Sequence, residues 1–236
     1  MGDADLVGNV RGRLIAFDLD GTLIDSRRDL ADAANELIAE LGGMPLTDEA
    51  IGRMVGEGAG ILVTRALRAA GLDEEAAGTS LARSLARFLQ IYDERLLHHT
   101  APYPGIVQAI AAARRHARVA VLTNKPTRAT ETVLEGLGLR PFFDDVIGGD
   151  GPWPRKPDPA PLRHLIMRAS ATPARTLLVG DSAIDHETAA RAGVRCCLAT
   201  YGFGFASFPS ERLTGDEWIV RTPAELADVF DAFKDV

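Results

Sequence analysis

Lysine is nearly missing from this chain: of 26 basic residues only Lys125, Lys156 and Lys234 are lysines, and the rest are arginines. No basic patch stands out and the net charge is −7, so nucleic acid is not an expected partner. Cysteine is scarce as well. Cys196 and Cys197 stand side by side in an apolar run. Adjacent cysteines rarely bridge, which excludes a disulfide framework and leaves two buried strand thiols. No apolar run approaches the length that crosses a bilayer, and the opening MGDADLVGNVRGR lacks the apolar segment of a secretory signal. These absences predict a cytoplasmic protein with no membrane partner. Internal repeats and low-complexity linkers are absent too.

What is present is ordinary globular material, 236 residues with 46% hydrophobic and 25% charged, enough for a large core with a smaller appended domain. Short apolar runs recur at 14–18, 118–122, 145–148, 176–180, 195–199 and 218–220. They are continuous rather than alternating, as in strands buried on both faces of a parallel sheet. Helical patterns separate the later runs. Residues 126–137 stop at Gly138 and 183–192 stop at Gly193, both plausible C′ glycines; 157–169 opens with prolines. Thr222-Pro223-Ala224-Glu225 reads as a capping box with proline at N1 of a last helix. Strand alternating with helix predicts an α/β fold with a doubly wound, Rossmann-like parallel sheet.

The first crossover breaks this rhythm. About a hundred residues separate the first strand from the second, and 27–100 carries three amphipathic patterns. One runs through Leu30, Ala33, Ala34, Leu37, Ile38 and Leu41. A second runs through Ile61, Leu62, Ala66 and Leu67, and a third through Leu81, Leu85, Phe88, Leu89, Tyr92 and Leu96. A further helix, 104–116, leads back to the sheet. The division predicted is a core domain of 1–26 and 101–236 with a helical cap domain, 27–100, inserted after the first strand.

In open α/β sheets, ligands bind beyond the carboxyl ends of the strands. There the chain places Asp18 and Asp20, then Thr123 and Asn124, then Lys156, then Asp181, Ser182 and Asp185. Each alone has a plain reading as a turn former, a helix cap or a surface charge. Together they supply carboxylates, hydroxyl, amide and ammonium to one edge. Crowded carboxylates need a cation, and Mg²⁺ favours one or two carboxylates plus phosphate oxygens. Thr123, Asn124 and Lys156 can donate to a phosphoryl group. Asp18 then suits a nucleophile, and Asp20 a proton donor to the leaving group.

In their order, DLDGTL, TN, KPDP and GDSAID resemble the four signature motifs of the haloacid dehalogenase superfamily. The core resemblance covers nearly the whole chain, and the insertion is similar to that family's C1-type cap. VGEGAGILVTRAL (55–67), TNKP (123–126) and YGFG (201–204) further resemble the bacterial phosphoglycolate phosphatases. The resemblance implies a small phosphorylated metabolite as substrate and an aspartyl-phosphate intermediate on Asp18. It implies Mg²⁺ held by Asp18, by the Asp20 backbone carbonyl and by Asp181, with Asp185 supporting from behind. Asp20 becomes the general acid and base, Thr123 and Lys156 hold the phosphate, and Asn124 positions it. His186 and Glu187 have no functional reading.

Competing chemistries separate on single residues. Dehalogenases of this kind lack the second carboxylate that Asp20 supplies. A cap lysine for Schiff-base chemistry is missing, since 27–100 holds none. A β-phosphoglucomutase-like phosphotransferase shares the aspartate pair and the cap, but its arginine-rich cap loop is replaced near Val55-Gly56-Glu57-Gly58. A phospho-aspartate receiver switch would be about half this length and lack the insertion. Gly56-x-Gly58-x-Gly60 follows no strand, so it reads as a cap turn approaching the substrate rather than a dinucleotide loop. Arg53, Glu57 and Arg65 read equally well as facing the site or as solvated. His98 and His99 show no metal spacing. The oligomeric state is not readable from the sequence.

Overall fold

The computed structural model describes residues 12–72 and 78–234. Six parallel strands form the sheet: β1 (Leu14–Phe17), β4 (Arg118–Leu122), β5 (Asp145–Ile147), β6 (Thr176–Gly180), β7 (Arg195–Ala199) and β8 (Trp218–Val220). Their order is β5-β4-β1-β6-β7-β8. Successive side chains of a strand point to opposite faces, and both faces here are apolar. Ile15, Phe17, Val119, Val121, Leu177 and Val179 join one buried cluster, while Leu14, Ala16, Ala120, Leu122 and Leu178 join the other. That is why the runs read as continuous. Each valine, leucine, isoleucine or phenylalanine among them contributes roughly 1.5–3 kcal/mol by leaving water.

Helices cover both faces. On the first lie α5 (Ile106–Arg114), α6 (Thr127–Gly136) and α9 (Leu226–Phe233); on the second lie α7 (Ala160–Arg168) and α8 (Ala183–Ala192). From β1 the chain winds outward through β4 to β5, then crosses back to β6 and winds the other way. The crevice beyond β1 and β6 is therefore the topological switch point, where open sheets bind ligands.

Gly138 and Gly193 adopt left-handed φ values of 68° and 70° just past α6 and α8, as their positions in the sequence predict. Two other expectations change. The 157–169 helix starts only at Ala160, whose N–H is held by Asp158 Oδ1 at 2.8 Å, because the prolines before it cannot extend a helical turn. The Thr222 capping box does not form: Pro223–Glu225 is a 3₁₀ turn, and the Glu225 carboxylate takes the N–H of Arg221 at 2.9 Å.

The long crossover leaves and returns through a two-stranded antiparallel ribbon, β2 (Ile24–Asp25) with β3 (Ala101–Pro102). Between them lie α1 (Arg27–Glu40), the short α2 (Asp48–Gly52), α3 (Ala59–Ala69) and α4 (Leu81–Asp93). The three amphipathic patterns coincide with α1, α3 and α4. Asp29, buried in α1, accepts from the N–H groups of His99 and Thr100 and from the Thr100 hydroxyl, which fastens the returning chain. His99 takes part through its backbone N–H, while its exposed ring lies 3.9 Å from Asp32 Oδ2. The buried residues of these helices are continuous with the first face of the sheet.

Candidate active site

The loop after β1 is set by one buried side chain. Leu19 is fully buried, so its neighbours Asp18 and Asp20 turn the other way. The Leu19 carbonyl accepts from the N–H groups of Thr22, Leu23 and Ile24, which closes the turn. Asp18 N–H donates to the Val179 carbonyl at 2.9 Å and extends the β1–β6 ladder by one residue. Gly21 has φ of 93°, and a Cβ there would lie 1.9 Å from Asp181 Oδ2. The loops after β1 and β6 therefore press together, and only glycine fits the contact.

Lys156 is the hub of one side. Its ammonium lies 2.8 Å from Asp18 Oδ1 and 2.6 Å from Asp185 Oδ1. Asp185 spends its other oxygen on the N–H and hydroxyl of Ser182, at 3.1 and 2.6 Å, in a capping box that starts α8. Asp181 Oδ2 accepts the N–H of Gly204 at 2.8 Å. Burial opposes the charge on Lys156, but Asp18 and Asp185 outweigh it and hold the ammonium above its usual range.

The aspartates have the opposite problem. Burial pushes the Asp18 carboxyl up to about 7; Lys156 pulls it down and Asp185 pushes it further up. Burial, then Asp18 and Asp185, push Asp181 well above the carboxylate range. Oxygens of Asp18, Asp181 and Asp185 lie within 4.8 Å of one another around a single ammonium. Such a donor set is short of one cation and consists of hard oxygens, which fits Mg²⁺. Asp185 has both oxygens committed, so Asp18 and Asp181 remain the better ligands.

Thr123 and Asn124 follow β4 and are buried beside Asp18 and Asp20 in the same pocket. Asn124 Nδ2 donates to the carbonyls of Lys156 and Gly56, both at 2.9 Å. Gly56, Gly58 and Ala59 line that pocket, so the glycine-rich turn does approach the strand ends.

The sequence reading missed the other side of the site. Lys125 is 6% exposed and its ammonium lies 3.1 and 3.3 Å from the two oxygens of Asp20. It also donates to the Tyr92 hydroxyl of α4 and sits 4.5 Å from that ring's centre. Ser26 donates to Asp20 Oδ1 at 2.6 Å. Burial opposes the charge on Lys125, and Asp20 and Tyr92 restore it. The available signal was the scarcity of lysine: two of the three are buried here.

Other residues lie elsewhere. Glu57 pairs with Arg65, both substantially exposed. His186 Nε2 lies 2.7 Å from Glu217, and Glu187 pairs with Arg191 and Arg212, so both residues clasp α8 to the loop before β8. Cys196 and Cys197 are free and buried.

A family model described as haloacid dehalogenase-like hydrolase matches residues 13–193. The chain belongs to the haloacid dehalogenase-like hydrolases. It is 45% identical over 194 residues to a phosphoglycolate phosphatase of Rhodospirillum rubrum, covering 81% of this chain and 80% of that one. It is 38% identical over 221 residues to the phosphoglycolate phosphatase of Chromobacterium violaceum, covering 92% and 96%. Among solved structures, a predicted phosphoglycolate phosphatase from Haemophilus somnus superposes with a TM-score of 0.83 at 28% identity, covering 92% of this chain and 97% of that one.

Proposed function

We propose that this phosphoric monoester hydrolase dephosphorylates a small, phosphoglycolate-like ester through an aspartyl phosphate on Asp18, with Mg²⁺ as cofactor. The observation that carries the reading is Lys156 set between Asp18 and Asp185, with Asp181 in reach, at the switch point of the sheet. Asp18 attacks phosphorus as the ester P–O bond breaks. Asp20 gives its proton to the departing alkoxide and later takes one from the water that hydrolyses the aspartyl phosphate. Thr123 and Lys156 hold the phosphoryl oxygens. Asn124 locks the loops after β4 and β5 together through Lys156 O. Asp18, Asp181 and the Asp20 backbone carbonyl would hold Mg²⁺, with Asp185 fixing Lys156. The ion, when bound, offsets phosphate charge so that an anionic carboxylate can approach.

Residues 27–100 act as a cap over the core of 1–26 and 101–236. Among the described residues no helix is long and apolar enough to cross a membrane, and we place the enzyme in the cytoplasm, free of nucleic acid. The test is Asp18→Asn, whose amide cannot form an acyl phosphate. Brief incubation of wild type with 2-phosphoglycolate and Mg²⁺ should yield a hydroxylamine-sensitive phosphate on Asp18, and the variant should yield none and lose turnover. If ¹⁸O-water enters phosphate directly in a single turnover, with no label in Asp18, the covalent route is wrong.

A further inference from the structure

We propose that Lys125 and Tyr92 recognise a second anionic group of the substrate, a carboxylate borne next to the phosphate ester. The inference rests on the phosphatase reading above and names what selects the ester. Both residues line the pocket that holds Asp18 and Thr123. Lys125 reaches it from the loop after β4 and Tyr92 from α4.

Donor accounting supports the assignment. An ammonium has three N–H groups. Among the described residues, Lys125 Nζ bonds both oxygens of Asp20 and the Tyr92 hydroxyl, so its three N–H groups are all engaged and a substrate carboxylate takes over one of the two given to Asp20. That hydroxyl accepts from Lys125, and no described residue accepts its own proton. Burial pushes Tyr92 up to about 12, so the proton stays in place. A third source of donors is the start of α3. Its N-cap, Gly58, has no side chain to occupy the first-turn N–H groups, and Gly58 and Ala59 both border the pocket.

The remaining wall decides the size and kind of ligand. Leu30, Val55, Leu62, Phe88 and Leu89 make it apolar. Sugar hydroxyls would be left unpaired against such side chains. The pocket is small, with about 40 Å³ of free space, room for only a few water-sized groups. A carboxymethyl group fits this space, with its oxygens drawn to the one polar end. A carboxylate there shares Lys125 with Asp20, which keeps its bond from Ser26.

The experiment compares 2-phosphoglycolate with ethyl phosphate, the same skeleton without the carboxylate oxygens. Wild type with Mg²⁺ should prefer 2-phosphoglycolate. Lys125→Gln should lower kcat/KM for 2-phosphoglycolate about 100-fold more than for ethyl phosphate, mainly through KM, as loss of a charged hydrogen bond implies. Lys125→Arg should recover part of the preference. Tyr92→Phe leaves the Lys125–Asp20 pair intact, so it decides the matter if Lys125→Gln fails to fold; the preference should fall about 10-fold. Equal losses on both esters in these variants would overturn the assignment and leave Lys125 as a support for Asp20. Hydrolysis of neither ester by wild type would instead remove the phosphatase reading itself.

Discussion

Lys156 and Lys125 are both almost fully buried, at 4% and 6% exposure, and each pairs with an aspartate of the loop after β1. Their surroundings differ in kind. Among the described residues, the charged partners of Lys156, Asp18 and Asp185, both lie at the parallel sheet's carboxyl edge, and carboxylates outnumber it there. Lys125 balances a single carboxylate and has its other partner, Tyr92, on a helix of the insertion. A charge-deficient cluster on one rigid edge is suited to bind phosphate and metal alike for any ester. A balanced pair shared with a separate set of helices is suited to discriminate between esters. On the two proposals above, the chemistry and the choice of substrate hang on different lysines.

The largest effect that tests this contrast comes from Lys156→Met. It removes the ammonium from both the phosphoryl group and three clustered carboxylates, and kcat should fall about 10³-fold or more. The loss should be equal for 2-phosphoglycolate and ethyl phosphate. Leaving buried charge unpaired should also cost about 3–5 kcal/mol of stability in metal-free protein, read by denaturant unfolding. A loss selective for 2-phosphoglycolate would make the two lysines equivalent and end the comparison.

Asp20 lies between the two regions, and its effect should depend on the leaving group. An alkoxide needs a proton in the transition state, assistance worth about 10²–10⁴-fold. A nitrophenolate is already a stable anion. In Asp20→Asn, pre-steady-state phosphorylation should therefore slow by about 10²-fold or more with an alkyl ester and much less with p-nitrophenyl phosphate. Equal losses with both would reduce Asp20 to a partner of Lys125.

The two lysines also differ in how far the sequence disclosed them. Strands 118–122, 176–180, 195–199 and 218–220 lie where the apolar runs predict, because burial on both faces leaves an uninterrupted signal. Parallel strands send their carboxyl ends to one edge, so Asp18, Thr123, Asn124, Lys156 and Asp181 were legible as one group from strand order alone. Lys125 was not singled out, because a lysine one residue past a turn is ordinarily solvated. Tyr92 fell in the apolar stripe of α4, and only its position in space shows where the hydroxyl goes. β2 and β3 are two residues each, too short to make a pattern. α2 is five residues, started by Thr47 Oγ1 accepting from Ala50 N–H.

Metal binding should stabilise the Lys156 side alone. At a Mg²⁺ concentration 100 times Kd the gain is about 2.7 kcal/mol, or roughly 5–10 °C in Tm for a chain of this size. The gain should depend on pH. Between its ordinary value of 3.8 and the folded value of about 7, Asp18 keeps a proton in the folded state that the unfolded chain has released. Raising the pH through this window therefore destabilises metal-free protein. Magnesium favours the ionised form, so the thermal shift should grow with pH over the same window. Asp181→Asn should lose the shift, and Lys125→Gln should keep it. A shift that is flat with pH, or lost equally in both variants, would place the metal elsewhere.

The smallest effect marks the outer limit of the Lys125 region. Glu57 sits between Gly56 and Gly58, which border the pocket, so its charge could be thought to repel a substrate carboxylate. Its side chain is 39% exposed, however, and pairs with Arg65, 42% exposed. Water and the paired arginine both screen it, and such exposed pairs are worth about 0.2–1 kcal/mol. Glu57→Gln should raise kcat/KM for 2-phosphoglycolate by no more than about threefold at low salt, since removing a screened negative charge helps an anion only slightly. The gain should vanish at about 0.5 M salt, where screening reaches only a few ångströms. Ethyl phosphate, which lacks the second charge, should respond less. A tenfold or larger gain that survives high salt would mean that Glu57 lies inside the recognition site, and the boundary drawn around Lys125 and Tyr92 would have to move outward to include it.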